Sequence, residues 1–311
     1  MRTSVLLGDP AEFRIRSGAN PHTRDRWGFR KRVDPLKAAA QWAGLKQILE
    51  AHGVQVHVLP AVEGQPGTVF PANAGFRHGD AFYLSNLHPG RAGEREHYRR
   101  FLSGLGLTVE DLPVPHRFEG EADFIPVEDR SGDPRKRVTL FTYGKIGSPG
   151  WRFRFGLPPY RRQYRFRSDR RVLPTLQSIV GESEILPLEL VDERHYHGDT
   201  LLCPFGPSQE YLLAYLEAIS PDSRAALRQR LGDRLVPLTP EDGRAFAANS
   251  FQVSVERAGQ TLFVLFTPEG LTGRFYREVT ARGVIPCPVD VSEFLEKGGG
   301  AVKCMLLNLG P

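Results

Sequence analysis

The sequence repeats one pattern five times, and this repeat restricts the fold more than any other feature. In each copy an amphipathic segment reaches a glycine, and a short strand-like segment ending near proline follows. The copies are AHGVQVHVLP, GLGLTVEDLPV, IVGESEILPL, RLGDRLVPL and ARGVIPCPV, with glycines at Gly53, Gly106, Gly181, Gly232 and Gly283. Such a repeat predicts units that bury a core only when neighbouring units pack together.

Each of these glycines fits the end of a helix, because the left-handed backbone conformation found there costs glycine least. The helix before Gly53 is the clearest example, since Asp34 can cap its start and Pro35 suits its first turn. Its apolar stripe is predicted to consist of Leu36, Ala39, Ala43, Ile48 and Leu49.

Strand-like segments precede four of the predicted helices, namely AFYLSN, RVTLFT, EYLLAYL and TLFVLF. A unit of two strands, a helix and a strand, repeated five times, predicts an α/β fold in the form of a five-bladed α/β propeller with a central pocket. We therefore expect residues 1–311 to form a single domain. A doubly wound sheet is the competing fold, but neither a G-x-G-x-x-G after a first strand nor a G-x-x-x-x-G-K-[ST] is present.

The intervals between successive glycines are 53, 75, 51 and 51 residues, so the second interval contains an insertion. It holds eight arginines and six aromatic residues between residues 151 and 171. Arginines interleaved with aromatic residues can bind single-stranded nucleic acid. We favour a surface insertion at about residues 145–166 instead, because insertions into repeat arrays usually form loops on one face. Nucleic acid is therefore not an expected partner.

Composition narrows the class of protein further. No run of about 18 apolar residues exists, and the apolar start of the chain ends at Asp9 and Pro10, so we expect a cytoplasmic protein with no membrane partner. The three cysteines, Cys203, Cys287 and Cys304, lack the paired spacing of a disulfide framework or a structural zinc site. Cys203 and Cys287 lie in apolar strand-like segments, which favours a role in the core.

Polar clusters occur at equivalent places in successive units, as expected for a pocket on a pseudo-symmetry axis. They are Asn20 in GANPHT, Asn73 in FPANAGF, Glu119 and Asp123 in FEGEADF, His197 and Asp199 in HYHGDT, Asn249 in AANSFQV, and Cys304 in GGGAVKCMLLNL. Each motif is weak alone, whereas the ordered set with a cysteine after three glycines is specific.

This ordered set resembles the guanidino-group-modifying superfamily, which includes arginine deiminases, dimethylarginine dimethylaminohydrolases, amidinotransferases and arginine dihydrolases. The resemblance covers nearly the whole chain except the insertion. It implies the five-bladed α/β propeller and a cysteine-dependent hydrolase of a small guanidino compound, arginine or a derivative. It also implies that no metal or organic cofactor is needed.

The resemblance implies that Cys304 is the nucleophile and that His197 is its acid–base partner. The glycines Gly298–Gly300 would let the backbone approach a planar substrate, and Lys303 would favour the thiolate. In strand geometry His197 and Asp199 share one face, so Asp199 would bind the guanidinium beside His197.

The acid that orients His197 is implied to lie in FEGEADF. Glu119 is favoured and Asp123 is the alternative, because the spacing is one residue longer than in the related E-G-G-D-like motif. Glu121 is interpreted as a solvated carboxylate.

Four further residues are candidates for substrate binding. Arg167, in FRSD, matches an arginine that the relatives use for the substrate carboxylate, and its planar fork suits that task. A role as one more surface arginine is equally compatible with the sequence, and Arg91 in LHPGR is a weaker candidate for the same task. Asn20 and Asn249 complete the set.

Asn73 stands where arginine deiminases have an aspartate that grips the guanidinium. Arginine dihydrolases, which release two ammonia molecules, also carry asparagines near the site, so the resemblance makes a dihydrolase outcome a specific hypothesis. The simpler interpretation is that Asn73 stabilises a turn. Two other functions stay open: an amidinotransferase that moves the amidino group to an amine, and a non-catalytic binding protein on the same fold.

Overall fold

The computed structural model describes residues 3–16, 20–127, 137–147, 150–152 and 161–310. Helices and strands alternate along this part of the chain. The helices are α1 (Pro35–Ala51), α2 (Arg95–Gly104), α3 (Leu173–Val180), α4 (Pro221–Leu231), α5 (Pro240–Arg244), α6 (Gly273–Thr280) and α7 (Ser292–Gly298). Among the described residues, no helix combines the length and apolar character needed to cross a bilayer.

The strands of the described residues form five three-stranded sheets and one two-stranded hairpin. The strands are β1 (Ser4–Gly8), β2 (Gln55–Leu59), β3 (Gly75–His78), β4 (Ala81–Leu84), β5 (Thr108–Asp111), β6 (Phe124–Val127), β7 (Val138–Tyr143), β8 (Gly150–Arg152), β9 (Arg161–Gln163), β10 (Ile185–Glu189), β11 (Leu202–Phe205), β12 (Tyr211–Ala214), β13 (Leu235–Pro237), β14 (Phe251–Arg257), β15 (Gln260–Pro268), β16 (Ile285–Val289) and β17 (Leu307–Gly310). The sheet orders are β17-β1-β2, β3-β4-β5, β6-β7-β10, β11-β12-β13 and β14-β15-β16.

All five sheets share one pattern of strand pairing. The middle strand pairs antiparallel with one neighbour and parallel with the other. Parallel pairing requires a crossover, and the crossover helices are α1, α2, α3, α4 and α6. The predicted unit of two strands, a helix and a strand is therefore confirmed, and the fold is mixed α/β. The hairpin β8–β9 lies in the predicted insertion, of which residues 148–149 and 153–160 lie outside the described residues.

The five repeat glycines all have a positive φ as predicted, but Gly181 and Gly232, with ψ −125° and −126°, lie outside the left-handed helical region. Their φ angles lie between +54° and +85°, a range in which a side chain would be strained. In each unit the crossover helix ends just before its glycine, and the outer strand of the sheet follows within four residues. The glycine thus reverses the chain so that the outer strand runs parallel to the middle strand.

Helix α1 begins as predicted, with the side chain of Asp34 accepting from the backbone N–H groups of Leu36 and Lys37. The predicted apolar stripe is wrong over its first half, since Leu36 is 82% exposed. The buried face instead consists of Ala38, Gln41, Leu45 and Leu49. This face is buried because it packs against α7 and the first sheet. The polar side chain of Gln41 is buried with it, since it forms hydrogen bonds to Ser292 and Glu293 at the start of α7.

The first strands of neighbouring sheets lie side by side. Strand β17 contacts β3, β6 contacts β11, and β11 contacts β14. Adjacent sheets also share one core, in which Val5 of β1, Phe266 of β15 and Met305 belong to a single buried cluster. The segments that precede β3, β6, β11, β14 and β17 therefore lie close together in space. These segments carry most of the polar motifs.

Candidate active site

Seven of the predicted site residues occupy the segments that precede the first strands of the five sheets. All of them are buried, and they come from different units of the repeat. They are Asn73 before β3, Glu119 and Asp123 before β6, His197 and Asp199 before β11, Asn249 before β14, and Cys304 before β17. Within the described residues, no group of three or more His, Cys, Asp or Glu side chains is placed to hold a metal ion.

The thiol of Cys304 is 3% exposed and makes two contacts with predicted site residues. Its Sγ donates to Asp199 Oδ2 at 3.1 Å and accepts from Asn249 Nδ2 at 3.1 Å. Burial and the neighbouring Asp199 carboxylate raise the pKa of Cys304 well above its usual value, and Asn249 and Lys303 offset this only in part. Lys303 thus favours the thiolate as expected, but by less than burial and Asp199 oppose it.

Lys303 is engaged elsewhere. Its Nζ donates to Glu121 Oε2 at 2.6 Å and to the carbonyl of Leu306 at 3.1 Å. Glu121 is not the solvated carboxylate that the sequence suggests, because its side chain is only 14% exposed and burial raises its pKa. The pair fixes the turn that carries Cys304.

Asn249 holds the backbone around the nucleophile. Its Nδ2 donates to the carbonyl of Asp199 at 2.9 Å as well as to Cys304, and its Oδ1 accepts from the N–H groups of Ala301 at 2.7 Å and Cys304 at 3.3 Å. An amide has two N–H donors and two acceptor lone pairs, so its capacity is used within the protein. This geometry suits positioning of Cys304 better than the predicted direct contact with substrate.

His197 and Glu119 form a buried pair, with His197 Nε2 at 2.7 Å from Glu119 Oε2. The other oxygen of Glu119 accepts from the N–H of His88 at 2.9 Å. Burial opposes charge on both groups, yet their mutual hydrogen bond and charges raise the pKa of His197 and hold the pKa of Glu119 far below its usual range. Nearby Asp123 makes the largest contribution to the rise in the pKa of His197. The pair therefore favours a protonated imidazole facing a carboxylate.

Asp123, the alternative partner for His197, anchors the surrounding backbone. It accepts from Thr142 Oγ1 at 2.5 Å, Ser168 Oγ at 2.6 Å and the N–H of Gly198 at 2.9 Å. Burial raises the pKa of Asp123 to about 6, and these bonds oppose that rise. Ser168 also accepts from the N–H of Glu119, so one network positions both halves of the pair.

The segment that carries His197 and Asp199 is not a strand as predicted. His197 is extended, with φ −132° and ψ 154°, and Gly198–Thr200 form a 3-10 turn. The turn packs so closely against Thr142 that only glycine fits at position 198, since a Cβ there would lie 2.4 Å from Thr142 Oγ1. As a result His197 contacts Glu119 while Asp199 contacts Cys304, so the turn joins the two halves of the site.

Asn73 lies between Arg91 and His197. Its Oδ1 accepts from Arg91 Nη1 at 2.5 Å, and its Nδ2 is 3.5 Å from His197 Nδ1 and 3.4 Å from His197 Nε2. Arg91 is also paired with Glu94, at 2.7 Å between Nη2 and Oε2. The sequence suggests Arg91 only as a weaker candidate for binding the substrate carboxylate, and it does not predict the contact between Arg91 and Asn73.

Asn20 and Tyr196 tie the N-terminal segment to the end of α7. Asn20 Nδ2 donates to the carbonyl of Gly298 at 2.8 Å and to Tyr196 Oη at 3.2 Å, and its Oδ1 accepts from the N–H of His22 at 3.0 Å. These contacts give Asn20 a structural role beside the predicted one in substrate binding. Tyr196 was not singled out from the sequence, because an aromatic residue next to a histidine usually signals core packing.

The glycine run before Cys304 is packed against protein. A Cβ on Gly298 would lie 2.5 Å from Phe70 Cζ, one on Gly299 2.6 Å from His22 Cδ2, and one on Gly300 2.7 Å from Cys304 Cβ. Packing against these neighbouring side chains requires the three glycines, and their approach to a planar substrate stays a prediction.

Arg167 is 5% exposed, which excludes the surface role. Its guanidinium lies 5.3 Å from the ring centroid of Tyr196, and its charge is among those that lower the pKa of Glu119. A buried arginine beside the His197–Glu119 pair is consistent with the predicted binding of a substrate anion.

We expect Glu119→Gln to lower the pKa of His197, because the variant loses the carboxylate charge and its hydrogen bond. The pair stabilises the fold fully only between pH 4.5 and 6.5, the ordinary values of the two groups. Below this window the stabilisation is lost as pH falls toward the lowered pKa of Glu119, and above it the stabilisation is lost as pH rises through the raised pKa of His197. The destabilisation inside the window should be roughly 1–3 kcal/mol, since His197 can lose its proton in the variant.

The measurement is an NMR titration of His197, combined with urea unfolding across this pH range. An unchanged titration of His197 in Glu119→Gln would contradict the pairing.

Comparison with known proteins gives consistent matches. The family model for eukaryotic N,N dimethylarginine dimethylhydrolase matches residues 166–310. The bifunctional arginine dihydrolase/ornithine cyclodeaminase AgrE of Nostoc sp. is 33% identical over 279 residues, which is 88% of this chain and 33% of AgrE. The dimethylarginine dimethylaminohydrolase of Mycobacterium tuberculosis is 29% identical over 304 residues, which is 97% of this chain and 84% of that protein. The chain thus spans about a third of the length of AgrE.

A solved structure agrees with these matches. The N-terminal domain of ArgZ, in a serine variant covalently bound to a reaction intermediate, superposes with a TM-score of 0.79 and 26% identity, covering 99% of this chain and 97% of that domain. Fold and sequence agree along nearly the whole chain. The chain therefore belongs to the guanidino-group-modifying superfamily, with the dimethylarginine dimethylaminohydrolases and arginine dihydrolases.

Proposed function

We infer that this chain is a cysteine-dependent hydrolase of a guanidino compound, with arginine or a close derivative as substrate. The observation that carries this proposal is the buried Cys304 thiol in contact with Asp199, two residues from His197, whose pKa Asp123 and Glu119 raise. A nucleophile, an anion for the substrate cation and a general acid are thus assembled from two units of the repeat.

Substrate binding is expected to activate the nucleophile. Among the described residues, Asp199 Oδ1 is buried and has no hydrogen-bond partner, so it is available to a guanidinium N–H. In the empty site the Asp199 carboxylate raises the pKa of Cys304. A bound guanidinium would offset that negative charge and bring a positive one, which favours loss of the thiol proton.

The reaction then follows from the proton states. The Cys304 thiolate attacks the guanidinium carbon, and the His197 imidazolium gives its proton to the departing nitrogen, which leaves as ammonia or an amine. The neutral His197 next accepts a proton from water as that water attacks the S-linked carbon. Breaking the C–S bond returns the thiolate and releases a ureido compound.

We also propose that the chain forms a propeller. Five sheets with one strand order, whose first strands lie side by side, support a five-bladed α/β propeller with the site on its axis. We assign residues 1–311 to one such domain, with the basic aromatic insertion at about residues 145–166.

A dihydrolase outcome is the finer part of the proposal. It is supported by the relatives AgrE and ArgZ, which are named as arginine dihydrolases, and by Asn73, which replaces a deiminase aspartate. A second hydrolysis of the ureido compound would release another ammonia and carbon dioxide, leaving ornithine. The second candidate substrate is dimethylarginine, which the M. tuberculosis relative favours, because that match extends over 84% of a dimethylarginine dimethylaminohydrolase.

The test is a product assay with arginine and dimethylarginine, each with and without glycine. We expect arginine to give two ammonia molecules per ornithine. Dimethylamine release from dimethylarginine would favour the second candidate. Amidino transfer to glycine would replace hydrolysis with the transferase alternative, and no turnover of either compound would favour the non-catalytic binding protein.

Asn73→Asp should shift the product from ornithine toward citrulline, with the ratio of ammonia to amino acid falling from two toward one. One carboxylate oxygen of the new aspartate would pair with Arg91, and the other would face the substrate. That negatively charged oxygen would bind the cationic guanidinium more tightly than the neutral ureido product, so the ureido product would be released. Asn308→Asp is the matched control, because it adds the same charge near β17, outside this contact. An unchanged ratio in Asn73→Asp would contradict the assignment of Asn73.

A further inference from the structure

The side chain of Tyr196 contacts three parts of the site that come from distant segments of the chain. Its ring centroid lies 5.3 Å from the guanidinium carbon of Arg167 and 4.6 Å from the ring centroid of His197. Its hydroxyl oxygen lies 3.2 Å from the carbonyl oxygen of Gly298 and 3.3 Å from that of Gly299. Tyr196 is buried, so all of these contacts are made inside the protein.

The hydroxyl of Tyr196 is a hydrogen-bond donor to the glycine run before the nucleophile. Burial and the neighbouring Cys304 raise its pKa, so the hydroxyl keeps its proton. That single proton is shared by the carbonyls of Gly298 and Gly299, and the hydroxyl oxygen accepts from Asn20 Nδ2 at 3.2 Å. The hydroxyl therefore holds the start of the segment that ends in Cys304.

The ring of Tyr196 supports the guanidinium of Arg167. Arg167 is buried, and an aromatic face attracts a cation more strongly when water is excluded. Stacking engages the face of a guanidinium, whereas its N–H groups lie in its plane and point toward other partners. The contact with the ring therefore restricts the orientation of the planar fork without competing for its N–H groups.

We propose that Tyr196 is a positioning residue that orients Arg167 through its ring and holds the segment leading to Cys304 through its hydroxyl. This rests on the proposed hydrolase function, in which Arg167 binds the substrate carboxylate. One side chain then sets the position of the group that binds the carboxylate end relative to the sulfur that attacks the guanidinium carbon. Such alignment of a bound substrate with its nucleophile contributes directly to the rate.

Two variants separate the ring from the hydroxyl. Tyr196→Phe keeps the ring and loses the hydroxyl, whereas Tyr196→Leu loses both. The substrate is arginine or dimethylarginine, whichever the unchanged protein turns over. We expect KM to rise about fivefold to tenfold in Tyr196→Leu alone, the range of a desolvated cation–π contact. We expect kcat to fall about fivefold in both variants, the effect of one lost hydrogen bond.

Agmatine and Arg167→Met show whether the ring acts through Arg167. Agmatine carries a guanidinium but no carboxylate, so it should inhibit the unchanged protein and Tyr196→Leu at equal concentrations. In the Arg167→Met background, which itself raises KM, Tyr196→Leu should raise KM no further. Thermal unfolding of each variant accounts for any loss of folded protein, which lowers kcat but does not change KM.

Several results would overturn the inference. A rise in KM that is equal in Tyr196→Phe and Tyr196→Leu, or that persists in Arg167→Met, would exclude orientation of Arg167 by the ring. Weaker inhibition by agmatine in Tyr196→Leu would indicate general distortion of the site instead. An unchanged kcat in Tyr196→Phe would exclude the role of the hydroxyl. If the unchanged protein turns over neither arginine nor dimethylarginine, the proposed function fails, and the inference fails with it.

Discussion

Cys304→Ala and Cys304→Ser should each reduce turnover of the guanidino substrate by about 10³-fold or more, while the protein stays folded. The reason is that no other group replaces the sulfur in the covalent intermediate, and residues that act as one catalytic unit lose most of their effect together. Steady-state ammonia release measures the loss, and thermal unfolding shows that the fold is retained. Substantial activity in either variant would remove the central assignment.

Cys203→Ser is the matched control for this change. Cys203 is also buried, burial raises its pKa to about 12, and its Sγ lies 3.5 Å from the carbonyls of Pro204 and Ser250 rather than beside the Asp199 carboxylate. We expect this variant to lose about 1–3 kcal/mol of stability through burial of a hydroxyl, with turnover close to that of the unchanged protein. The two serine substitutions thus separate a chemical role from a packing role.

His197→Ala should lower kcat by about 10²–10⁴-fold, the usual contribution of a positioned acid–base group. Without His197 the departing amine receives no proton and the attacking water has no base. If the second half of the reaction is the more impaired, an adduct accumulates on Cys304, and intact-protein mass spectrometry after mixing with arginine detects it. A rate equal to that of the unchanged protein would mean that His197 is structural.

His195→Gln provides the control, because His195 is equally buried in the same segment but stacks on Phe246 and contacts Thr200. Its loss should affect stability more than kcat. The pH dependence adds a second check on His197. Because its pKa is raised, kcat should fall as pH rises through that value and the general acid is lost. Glu119→Gln should move this decline to lower pH.

Local sequence patterns were sufficient for the repeat and for the ends of its helices. The five glycines end helices because their backbone conformation is a property of the residue type, and strand length follows from short apolar segments between turns. The buried face of α1 did not follow from its sequence, because Ala38 and Gln41 are buried by the position of α7. Leu36 is exposed for the same reason, although it is the most apolar residue of the first turn.

At the site, the ordered motifs predicted roles for Cys304, His197, Glu119 and Asp199, because a resemblance preserves residue order, and the structure brings these side chains together. The spacing in FEGEADF could not assign the partner of His197. The structure brings Glu119 to 2.7 Å from the imidazole and uses Asp123 to hold Gly198. A 3-10 turn at Gly120–Ala122 separates the two acids and points them to different partners, and no pattern in the sequence indicates this turn.

Charge states and contacts between distant segments were decided by tertiary structure alone. Lys303 adjoins Cys304 in sequence, yet it pairs with Glu121, and the thiol is governed by burial and by Asp199, 105 positions away. The amide of Asn73 is oriented by Arg91, which no motif connects to it. The sequence by itself determined which chemical groups are present and in what order, because these are local properties. Their protonation and orientation depend on burial and on the nearest charge, which exist only once the units have packed together.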